Sequence, residues 1–437
     1  MDKRTKIIAT ISDKRCEVEF IRSLYEAGMN AVRINTAHVT TRSAATIVEN
    51  VRRVSEKIAI IIDTKGPEIR LTGMAAGFES GIPIEKGQLV RMKGTAEDRP
   101  SSDQTIYLND PTIYDAVPTG SIILIDDGEL ELQVVDKTDD ELVCEVHNGG
   151  VIKPRKSVNI PGVPIDLPSV TDKDHEFINW AIDMDIDFIA HSFVRKKSDV
   201  LAVKKILKDR NSSIKIISKI ENSEGVDNID EILDETYGIM VARGDLGVEI
   251  PAERIPVTQR LLVKKCIESK KPVIIATQML HTMIEHPRPT RAEISDVANA
   301  IYQRVDAVML SGETANGLYP VEAVATMARV AREIENDEVN NGPNIDMNLV
   351  RINNEITAQL ARSAVRASIN LRVKAIVIDT LSGRTGRYVA AFRGQMPVYA
   401  VCYRKSTMRQ LALSYGVHAI YCEPSVSREG FLLNILY

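Results

Sequence analysis

Short runs rich in Ile and Val recur along the chain, and an amphipathic stretch follows each of them. The eight runs are TKIIATI from Thr5, AVRINTA from Ala31, IAIIIDT from Ile58, DFIAHSF from Asp187, IKIISKI from Ile214, GIMVARG from Gly238, PVIIATQ from Pro272 and DAVMLSG from Asp306. Continuous apolar strands are typical of a parallel sheet that is covered on both faces. The stretches 198–209, 252–269 and 291–303 are predicted helices. Eight strands in β/α alternation predict a closed (β/α)8 TIM barrel of the α/β class, and a doubly wound open sheet is the alternative.

The alternation is interrupted once, between Pro67 and about Pro164. Segments there, such as SIILIDDGELELQVVD and ELVCEVHN, alternate in polarity and are separated by Gly, Pro and Asp-Gly turns. This pattern predicts an all-β insertion after the third barrel strand. An insertion there lies on the C-terminal face of the barrel, where it could act as a lid that excludes water.

A second β/α pattern follows a polar linker that contains Asn341, Gly342 and Pro343. A predicted helix at 355–370 precedes the strands KAIVIDT, PVYAVCY and HAIYCEP. We therefore expect a separate C-terminal α/β domain. The predicted boundaries are 1–68 and 164–338 for the barrel, 69–163 for the lid and 345–437 for the C-terminal domain.

Polar or charged residues end seven of the eight predicted barrel strands. They are Arg33 and Asn35, Asp63 and Lys65, Ser192 and Arg195, Lys219 and Glu221, Arg243 and Asp245, Thr277 and Gln278, and Ser311 and Glu313. Such positions converge on the catalytic face of a barrel. A single one could be a helix cap or a surface ion pair, but seven strands together favour an active site.

Two carboxylates on neighbouring strands, Glu221 and Asp245, are suited to a divalent Mg²⁺ or Mn²⁺ ion. Such ions take oxygen ligands and keep positions for substrate and water. The seven His residues are scattered, so no zinc constellation is evident. Lys219 shares a face with Glu221 and could stabilise a phosphoryl group or an enolate oxygen. The alternative is that Lys219 only neutralises Glu221.

Further residues of phosphate-binding type lie in three segments. VRINTAH contains Arg33, and DTKGPEIR contains Lys65 and Arg70. In the C-terminal domain, LSGRTGRY places a Ser-Gly-Arg-Thr turn in a loop between a strand and a helix, which is an anion-binding arrangement. A capped turn without a ligand is the alternative for this loop.

Composition narrows the class of protein. The net charge of −5 gives no reason to expect nucleic acid or an anionic membrane as a partner. The number of cysteines is odd, five, and none forms a C-x-x-C pair, which favours buried thiols in a reducing compartment. The N-terminus has no signal-peptide pattern, and no apolar run is long enough to span a membrane. These features predict a cytoplasmic protein.

Taken in order, the motifs resemble those of the pyruvate kinase family. The matching runs are TKIIATI, AGMNAVRINTAH, DTKGPEIR, LIDDGELELQV, NIPG, SKIENSEG, IMVARGDLGVEIPAE, KPVIIATQMLHTMIEHPRPTRAEISDVANAI and VMLSGETANGLYPVEAV. They extend to about residue 335, and the C-terminal part matches more loosely. The resemblance implies a glycolytic phosphotransferase that moves the phosphoryl group of phosphoenolpyruvate to ADP, giving pyruvate and ATP.

The resemblance also implies roles for individual residues. Glu221 and Asp245 would hold the divalent metal, Lys219 would stabilise the phosphoryl group and the enolate, and Arg33 would bind the phosphate. Thr277 would help to deliver a proton to the enolate carbon. The remaining implied groups are the backbone of Ala242, Arg243, Gly244 and Asp245 for the substrate carboxylate, Ser192, Ser311 and Glu313 for the pocket and its waters, and His38, Arg70, Lys156 and Asp127 for the nucleotide.

The family's monovalent-cation site corresponds to Asn35, Asp63 and Thr64. Ala37 stands where most relatives have a Ser whose hydroxyl binds the cation, so we expect a weakened site. Glu68 is the residue type of K⁺-dependent relatives. We therefore predict K⁺ dependence despite Ala37.

The family's effector loop corresponds to Ser382, Arg384 and Thr385, which could bind a sugar phosphate or a nucleotide. The chain stops at Tyr437, earlier than is usual in the family, which leaves effector binding open. The resemblance further implies a homotetramer. Two other classes stay open: a catalytically silent regulatory protein on the same scaffold, and a metal-dependent lyase or aldolase.

Overall fold

The structure is a computed structural model that describes residues 3–341, 347–371 and 373–424. The chain begins with two strand–helix units and a third strand. These elements are β1 (Lys6–Thr10), α1 (Val18–Ala27), β2 (Ala31–Asn35), α2 (Thr41–Val54) and β3 (Ala59–Asp63). Helix α2 begins after Thr40, whose side chain accepts a hydrogen bond from the Ser43 amide in a capping box. Helix α1 ends at Gly28, whose φ of 121° few other residues tolerate.

The insertion after β3 folds into short strands with one four-residue helix. They are β4 (Ile82–Ile84), β5 (Leu89–Gly94), β6 (Ile106–Leu108), α3 (Ile113–Ala116), β7 (Ile122–Ile125), β8 (Leu130–Thr138), β9 (Glu141–Val146), β10 (Gly150–Ile152) and β11 (Val158–Asn159). Their order is β11-β7-β8-β9-β5-β6 in one sheet and β10-β4 in another. The β5–β6 pair is parallel and the other pairs are antiparallel. This lid has its own apolar core, which includes Leu132 and Cys144.

The chain then returns to strand and helix alternation. The elements are α4 (Asp172–Asp183), β12 (Phe188–His191), α5 (Lys197–Asp209), β13 (Lys215–Ile220), α6 (Ser223–Asp227), α7 (Ile229–Glu235), β14 (Gly238–Ala242), α8 (Arg243–Glu249), a 3-10 helix (Ala252–Arg254), α9 (Ile255–Glu268), β15 (Val273–Ala276), a 3-10 helix (His281–Ile284), α10 (Arg291–Tyr302), β16 (Ala307–Leu310), α11 (Gly312–Ala315) and α12 (Pro320–Asn341).

The barrel is closed, because β1 pairs in parallel with both β2 and β16. The eight predicted strands are the eight that form it, in the order β1-β2-β3-β12-β13-β14-β15-β16. The predicted TIM barrel is therefore confirmed, and the open-sheet alternative is wrong. Alternate residues of each strand fill the interior, among them Ile61, Phe188, Ala190 and Ile217.

The C-terminal domain packs against the floor of the barrel, the end at which the strands begin. Its elements are α13 (Ile356–Asn370), β17 (Ile376–Thr380), α14 (Arg384–Ala391), β18 (Val398–Cys402), α15 (Lys405–Gln410), a 3-10 helix (Leu411–Leu413) and β19 (Val417–Tyr421). In the described part of the chain its strands form the parallel sheet β17-β18-β19. Leu413 is fully buried among the residues of the barrel interior. Gly342 and Pro343 of the predicted linker, and residues 425–437, lie outside the described residues.

Two buried ion pairs fasten this domain to the barrel. Arg393 binds Asp306 through two nitrogens at 2.8 and 2.5 Å, and Arg409 binds Asp187 at 2.5 Å. All five cysteines are free thiols, three of them buried. No helix among the described residues is long and apolar enough to cross a membrane.

Candidate active site

The strand register explains why polar side chains meet at the C-terminal mouth of the barrel. Successive side chains of a strand point to opposite faces, so residues two apart share a face. Ile61, Ala190 and Ile217 fill the barrel interior. The inward-facing positions that follow them along the chain are Asp63, Ser192 and Lys219.

Lys219 is the centre of this group. Its ammonium lies 3.0 Å from Asp63 Oδ1 and 2.9 Å from Glu221 Oε1, and it donates a hydrogen bond of 2.8 Å to Ser192 Oγ. Arg33 Nε lies 2.6 Å from the other oxygen of Asp63. Two cations and two carboxylates thus alternate at the mouth, and both carboxylates are about 1% exposed.

Burial and charge shift the pKa values of these groups in different directions. Burial lowers the pKa of Lys219, but the carboxylates of Asp63 and Glu221 outweigh it and raise that pKa overall. Burial likewise opposes ionisation of Asp63, yet Arg33 and Lys219 hold its pKa below the ordinary value. Burial raises the pKa of Glu221 to about 7, against the influence of Lys219 and with help from Asp245. The ionised form of Glu221 is therefore less stabilised by its surroundings than that of Asp63, and an additional cation beside Glu221 would be favourable.

Thr277 lies in a strained turn at the end of β15. Its φ is 67° and that of Gln278 is 55°, a region that β-branched residues rarely adopt. The Gly244 amide donates to Thr277 Oγ1 at 2.8 Å, and that hydroxyl donates to the Ala276 carbonyl at 2.6 Å. The Arg243 guanidinium is directed to the Thr277 carbonyl at 2.8 Å and to Asp296 at 2.7 Å, so its side chain braces this turn.

Ser311 directly follows β16, and Glu313 lies on the short helix α11 that comes next. Glu313 is 2% exposed and accepts from the amides of Ser311, at 2.7 Å, and Leu280, at 3.2 Å. Its carboxylate therefore joins the loops after β15 and β16. Ser311 Oγ is buried and has no hydrogen-bond partner among the described residues. That hydroxyl is available to a bound water or substrate atom.

The residues predicted for a monovalent cation lie beside the Lys219 group. Asn35 Oδ1 accepts from the Ala37 amide at 3.1 Å, and the Thr64 carbonyl accepts from Ser192 Oγ at 2.6 Å. The side chain of Ala37 offers no oxygen. Lys173, which no sequence motif marks as part of the site, donates to the Ala37 carbonyl at 3.3 Å.

A cleft of about 630 Å³ separates the lid from the mouth of the barrel, within the range of ligand pockets. Three of the predicted nucleotide-side residues line it, namely Arg70, Lys156 and Asp127, and Asp245 lines its floor. Arg70 is paired with Glu68 at 2.6 Å and Lys156 with Asp126 at 2.7 Å. His38 is exposed and does not line this cleft.

The C-terminal loop differs in one detail from its prediction. Helix α14 begins at Arg384, so the segment predicted as a loop is already helical from that residue onward. Gly383 precedes the helix with a left-handed φ of 77°, and its amide donates to Thr380 Oγ1. Ser382 and Arg384 are exposed, and Thr385 is partly exposed. None of these three residues lines the cleft at the barrel mouth.

Several structural residues of the site gave only weak signals in the sequence. Asp174 is fully buried and accepts from the Lys65 amide at 2.9 Å and the Gly66 amide at 3.4 Å, so it holds the turn where the chain enters the lid. The Thr-x-x-Asp spacing from Thr171 marks it as a helix cap and nothing more. The Phe193 amide donates to Glu221 at 2.7 Å, a backbone contact that residue types do not predict.

The donor set suits a hard divalent ion better than zinc. Among the described residues, no group of three or more His, Cys, Asp or Glu side chains is placed to hold a metal. Glu221 and Asp245 supply two carboxylates, and Mg²⁺ commonly binds one or two carboxylates together with substrate oxygens and water.

Comparisons with known proteins agree with the fold. The family model for the pyruvate kinase barrel domain matches residues 2–324, and that for the pyruvate kinase alpha/beta domain matches residues 358–435. The chain is 48% identical to pyruvate kinase of Borreliella burgdorferi over 96% of its own length and 86% of that protein. It is 46% identical to that of Geobacillus stearothermophilus over 100% of this chain and 74% of the relative. It is 45% identical to pyruvate kinase of Bacillus licheniformis over 95% of this chain and 72% of the relative. The chain belongs to the pyruvate kinase family.

Proposed function

We propose that the barrel mouth transfers the phosphoryl group of phosphoenolpyruvate to ADP, giving pyruvate and ATP. The observation that supports this best is the buried group of Arg33, Asp63, Lys219 and Glu221 beneath a cleft of nucleotide size. Phosphoryl transfer depends on positioning and charge stabilisation more than on a covalent nucleophile. The group supplies cations and carboxylates of the type that a hard metal ion binds, in a largely buried site.

Arg33 and Lys219 are proposed to bind the phosphoryl group from the barrel side. Asp63 already holds both side chains in position, so substrate binding does not have to order them. Lys219 remains protonated because Asp63 and Glu221 raise its pKa. It can therefore donate to the enolate oxygen as the bond to phosphorus breaks. Ser192 Oγ accepts from Lys219 and fixes the direction of the ammonium.

Glu221 and Asp245 are proposed to hold the divalent cation, Mg²⁺ or Mn²⁺. The fit rests on the raised pKa of Glu221, which a neighbouring cation would relieve. When bound, the ion would neutralise charge on the substrate's oxygens. The backbone of Ala242, Arg243, Gly244 and Asp245 is proposed to bind the substrate carboxylate.

Thr277 is proposed to deliver the proton that converts the enolate to pyruvate. Its hydroxyl is fixed by the Gly244 amide, and its turn by Arg243. Ser311 and Glu313 are proposed to line the route of water to this position, since Ser311 Oγ has no partner among the described residues.

ADP is proposed to bind in the cleft under the lid. Arg70, Lys156 and Asp127 line the cleft, and His38 is proposed to reach the nucleotide from the exposed edge of the mouth. Both basic residues have acidic neighbours in this structure, so an incoming nucleotide phosphate would compete with Glu68 and Asp126.

A monovalent cation, K⁺, is proposed to bind weakly at Asn35, Asp63 and Thr64. Ala37 removes one oxygen from this set, and Lys173 already contributes a positive charge at the Ala37 carbonyl. Turnover should be higher in K⁺ than in tetramethylammonium at equal ionic strength. Equal rates in the two salts would show that the site needs no K⁺.

Three wider properties are proposed from the family. The chain forms a homotetramer, acts in the cytoplasm, and binds a sugar-phosphate or nucleotide effector at Ser382, Arg384 and Thr385. The exposure of Ser382 and Arg384 supports the last of these. Sedimentation of the full chain with and without such ligands tests the assembly.

One assay separates the proposed function from its alternatives. Pyruvate formation from phosphoenolpyruvate should require both ADP and Mg²⁺. A lyase or phosphatase would form product without ADP, and a silent regulatory protein would form none.

A further inference from the structure

A second cluster of basic residues lies at the floor of the barrel, at the opposite end of β15 from Thr277. A small cavity of about 10 Å³ opens there between the start of β15 and the C-terminal domain. Its lining includes Lys271 from the barrel together with Arg387, Arg393 and Ser414 from the C-terminal domain. The mouth site and the loop at Ser382, Arg384 and Thr385 contribute no residue to it.

The cavity is lined by buried donors that lack acceptors. Arg393 Nε, Arg387 Nε and Ser414 Oγ are buried and have no hydrogen-bond partner in the described part of the chain. Arg393 and Ser414 are 5% and 1% exposed. Unsatisfied buried donors are costly, so a group that accepts from them would stabilise the fold.

The carboxylate that lines the cavity already accepts hydrogen bonds from other groups. Asp306 receives both terminal nitrogens of Arg393 and the amides of Val273 and Tyr415. Likewise, Lys270, which also lines the cavity, is paired with Glu355 at 3.2 Å. The remaining donors can therefore bind an acceptor from outside this set.

Positive charge is in excess around the cavity. Within the described ranges, no carboxylate lies within 4.0 Å of the charged groups of Lys271, Arg387 or the neighbouring Lys215. The Lys271 ammonium donates to the Thr236 carbonyl at 2.6 Å, and the Arg387 guanidinium lies 4.5 Å from the centre of the Tyr237 ring. Both contacts hold a positively charged side chain in position, but neither supplies a negative charge to neutralise it. Burial and the nearby Arg387 lower the pKa of Lys271 to about 8.

We propose that this cavity binds a single monatomic anion of the halide class, which bridges the barrel floor and the C-terminal domain. Lys271, Arg387, Arg393 and Ser414 are its donors. A water molecule could accept from the same donors but would leave the charge excess in place. A tetrahedral phosphate is too large, because a volume of about 10–15 Å³ holds one water-sized atom.

Bromide, whose anomalous X-ray signal identifies it, is the direct probe. Crystals of the full chain grown in sodium gluconate and soaked in sodium bromide should show an anomalous peak among Lys271, Arg387, Arg393 and Ser414. A peak elsewhere only, or none, overturns the proposal.

Thermal unfolding tests whether the anion is part of the structure. At equal ionic strength, bromide or chloride should raise the Tm of the wild-type chain above its value in gluconate, by about 2–4 °C once the site is filled. Lys271→Met and Ser414→Ala should reduce this difference. Ser414→Ala removes only a hydroxyl, so it keeps the test decisive if Lys271→Met does not fold.

Lys405→Met is the matched control. Lys405 also joins the C-terminal domain to the barrel, through Glu56 at 2.7 Å, but lies away from the cavity. It should keep the full halide effect. A bromide peak without any difference in Tm between halide and gluconate would mean an adventitious ion only and would contradict the proposal, as would an equal halide effect in all variants.

Discussion

Lys219 has a structural role in this site in addition to the chemical role proposed for it. It is a buried cation held between Asp63 and Glu221, so its charge also keeps these two carboxylates compatible with the fold. Removing a partner from a buried ionic group leaves other charges uncompensated. Activity and stability must therefore be measured together when this residue is changed.

Lys219→Met should lower kcat at least about 1,000-fold, because a positioned cation at the developing negative charge is lost. Circular dichroism and urea unfolding should show that the barrel still forms. Lys205→Met, which removes a lysine from the exposed side of α5, should leave kcat unchanged. Near-normal turnover of Lys219→Met would refute the role assigned to it.

His191 gives the protein a predictable sensitivity to acid. It is fully buried at the end of β12, and burial lowers its pKa from the ordinary value of 6.5 to about 4. Below pH 6.5, His191 is protonated in the unfolded chain but stays neutral in the folded chain. The free energy of unfolding therefore falls as the pH drops from 6.5 towards 4. The contribution lost between pH 7 and pH 5 is about 2 kcal/mol.

This loss should disappear in His191→Gln, whatever the overall stability of the variant. The measurement is the free energy of unfolding in urea at several pH values, read as a slope. His175→Asn, at an exposed position on α4, serves as the control and should keep the wild-type slope. An unchanged slope in His191→Gln would contradict the assignment.

At the scale of elements, the turn between β3 and the lid depends on a glycine. Gly66 has a φ of +70°, and a Cβ there would lie 2.8 Å from both Ser192 Cβ and the ring of Phe193. Its neighbours Ser192 and Phe193 follow β12 and contact the Lys219 group through Lys219 and Glu221. The path of the chain into the lid is thereby coupled to the geometry of the mouth.

Gly66→Ala should cost about 2–4 kcal/mol of unfolding free energy, from the left-handed backbone and from overpacking. It should also reduce kcat, since Ser192 must move. Gly77→Ala is a matched control, because Gly77 has a φ of +93° and nothing lies within 4 Å of the added Cβ. It should cost only about 1–2 kcal/mol and leave kcat unchanged. Equal costs would show that the contacts of Gly66 do not matter.

The barrel strands were easier to predict from the sequence than the strand pairing in the lid and the turns at the strand ends. Barrel strands are buried on both faces, so their Ile and Val runs stand out, and all eight were located. The lid strands are short, and the parallel pairing of β5 with β6 has no local signature. The left-handed turn at Thr277 and Gln278 was missed, since no glycine or asparagine marks it.

Within the candidate site, residue types at strand ends predicted the group around Lys219 because the barrel brings those ends together. Charge partners were not predictable. Asp63 was assigned to a monovalent cation, yet in the structure it binds Arg33 and Lys219. The domain boundaries and residue roles stay predictions.

At the scale of the whole molecule, contacts between distant segments hold the C-terminal domain to the barrel. The Arg393–Asp306 pair joins residues 87 positions apart, and both residues are buried. Such pairs leave no pattern in a single sequence, because each partner looks like an ordinary charged residue.

Arg393→Met should destabilise the protein by about 3–5 kcal/mol, since Asp306 is left buried without its cation. The exposed pair between Lys405 and Glu56 gives the comparison, and Lys405→Met should cost no more than about 1 kcal/mol. Urea unfolding followed by tryptophan fluorescence and by circular dichroism measures both. Similar costs for the two variants would mean that burial of the Arg393–Asp306 pair does not set its importance.

Direct transfer between two substrates at the barrel mouth is the central feature of the proposed function. Phosphorus NMR of the full chain with phosphoenolpyruvate, ADP and Mg²⁺ measures that transfer, because substrate and product have separate phosphorus resonances. We expect the phosphoenolpyruvate resonance to decline as the γ-phosphate resonance of ATP grows in equal amount, and both changes to be at least about 1,000-fold slower with Lys219→Met. Growth of the inorganic phosphate resonance in place of ATP, or unchanged resonances with the wild-type chain, would contradict direct transfer from phosphoenolpyruvate to ADP.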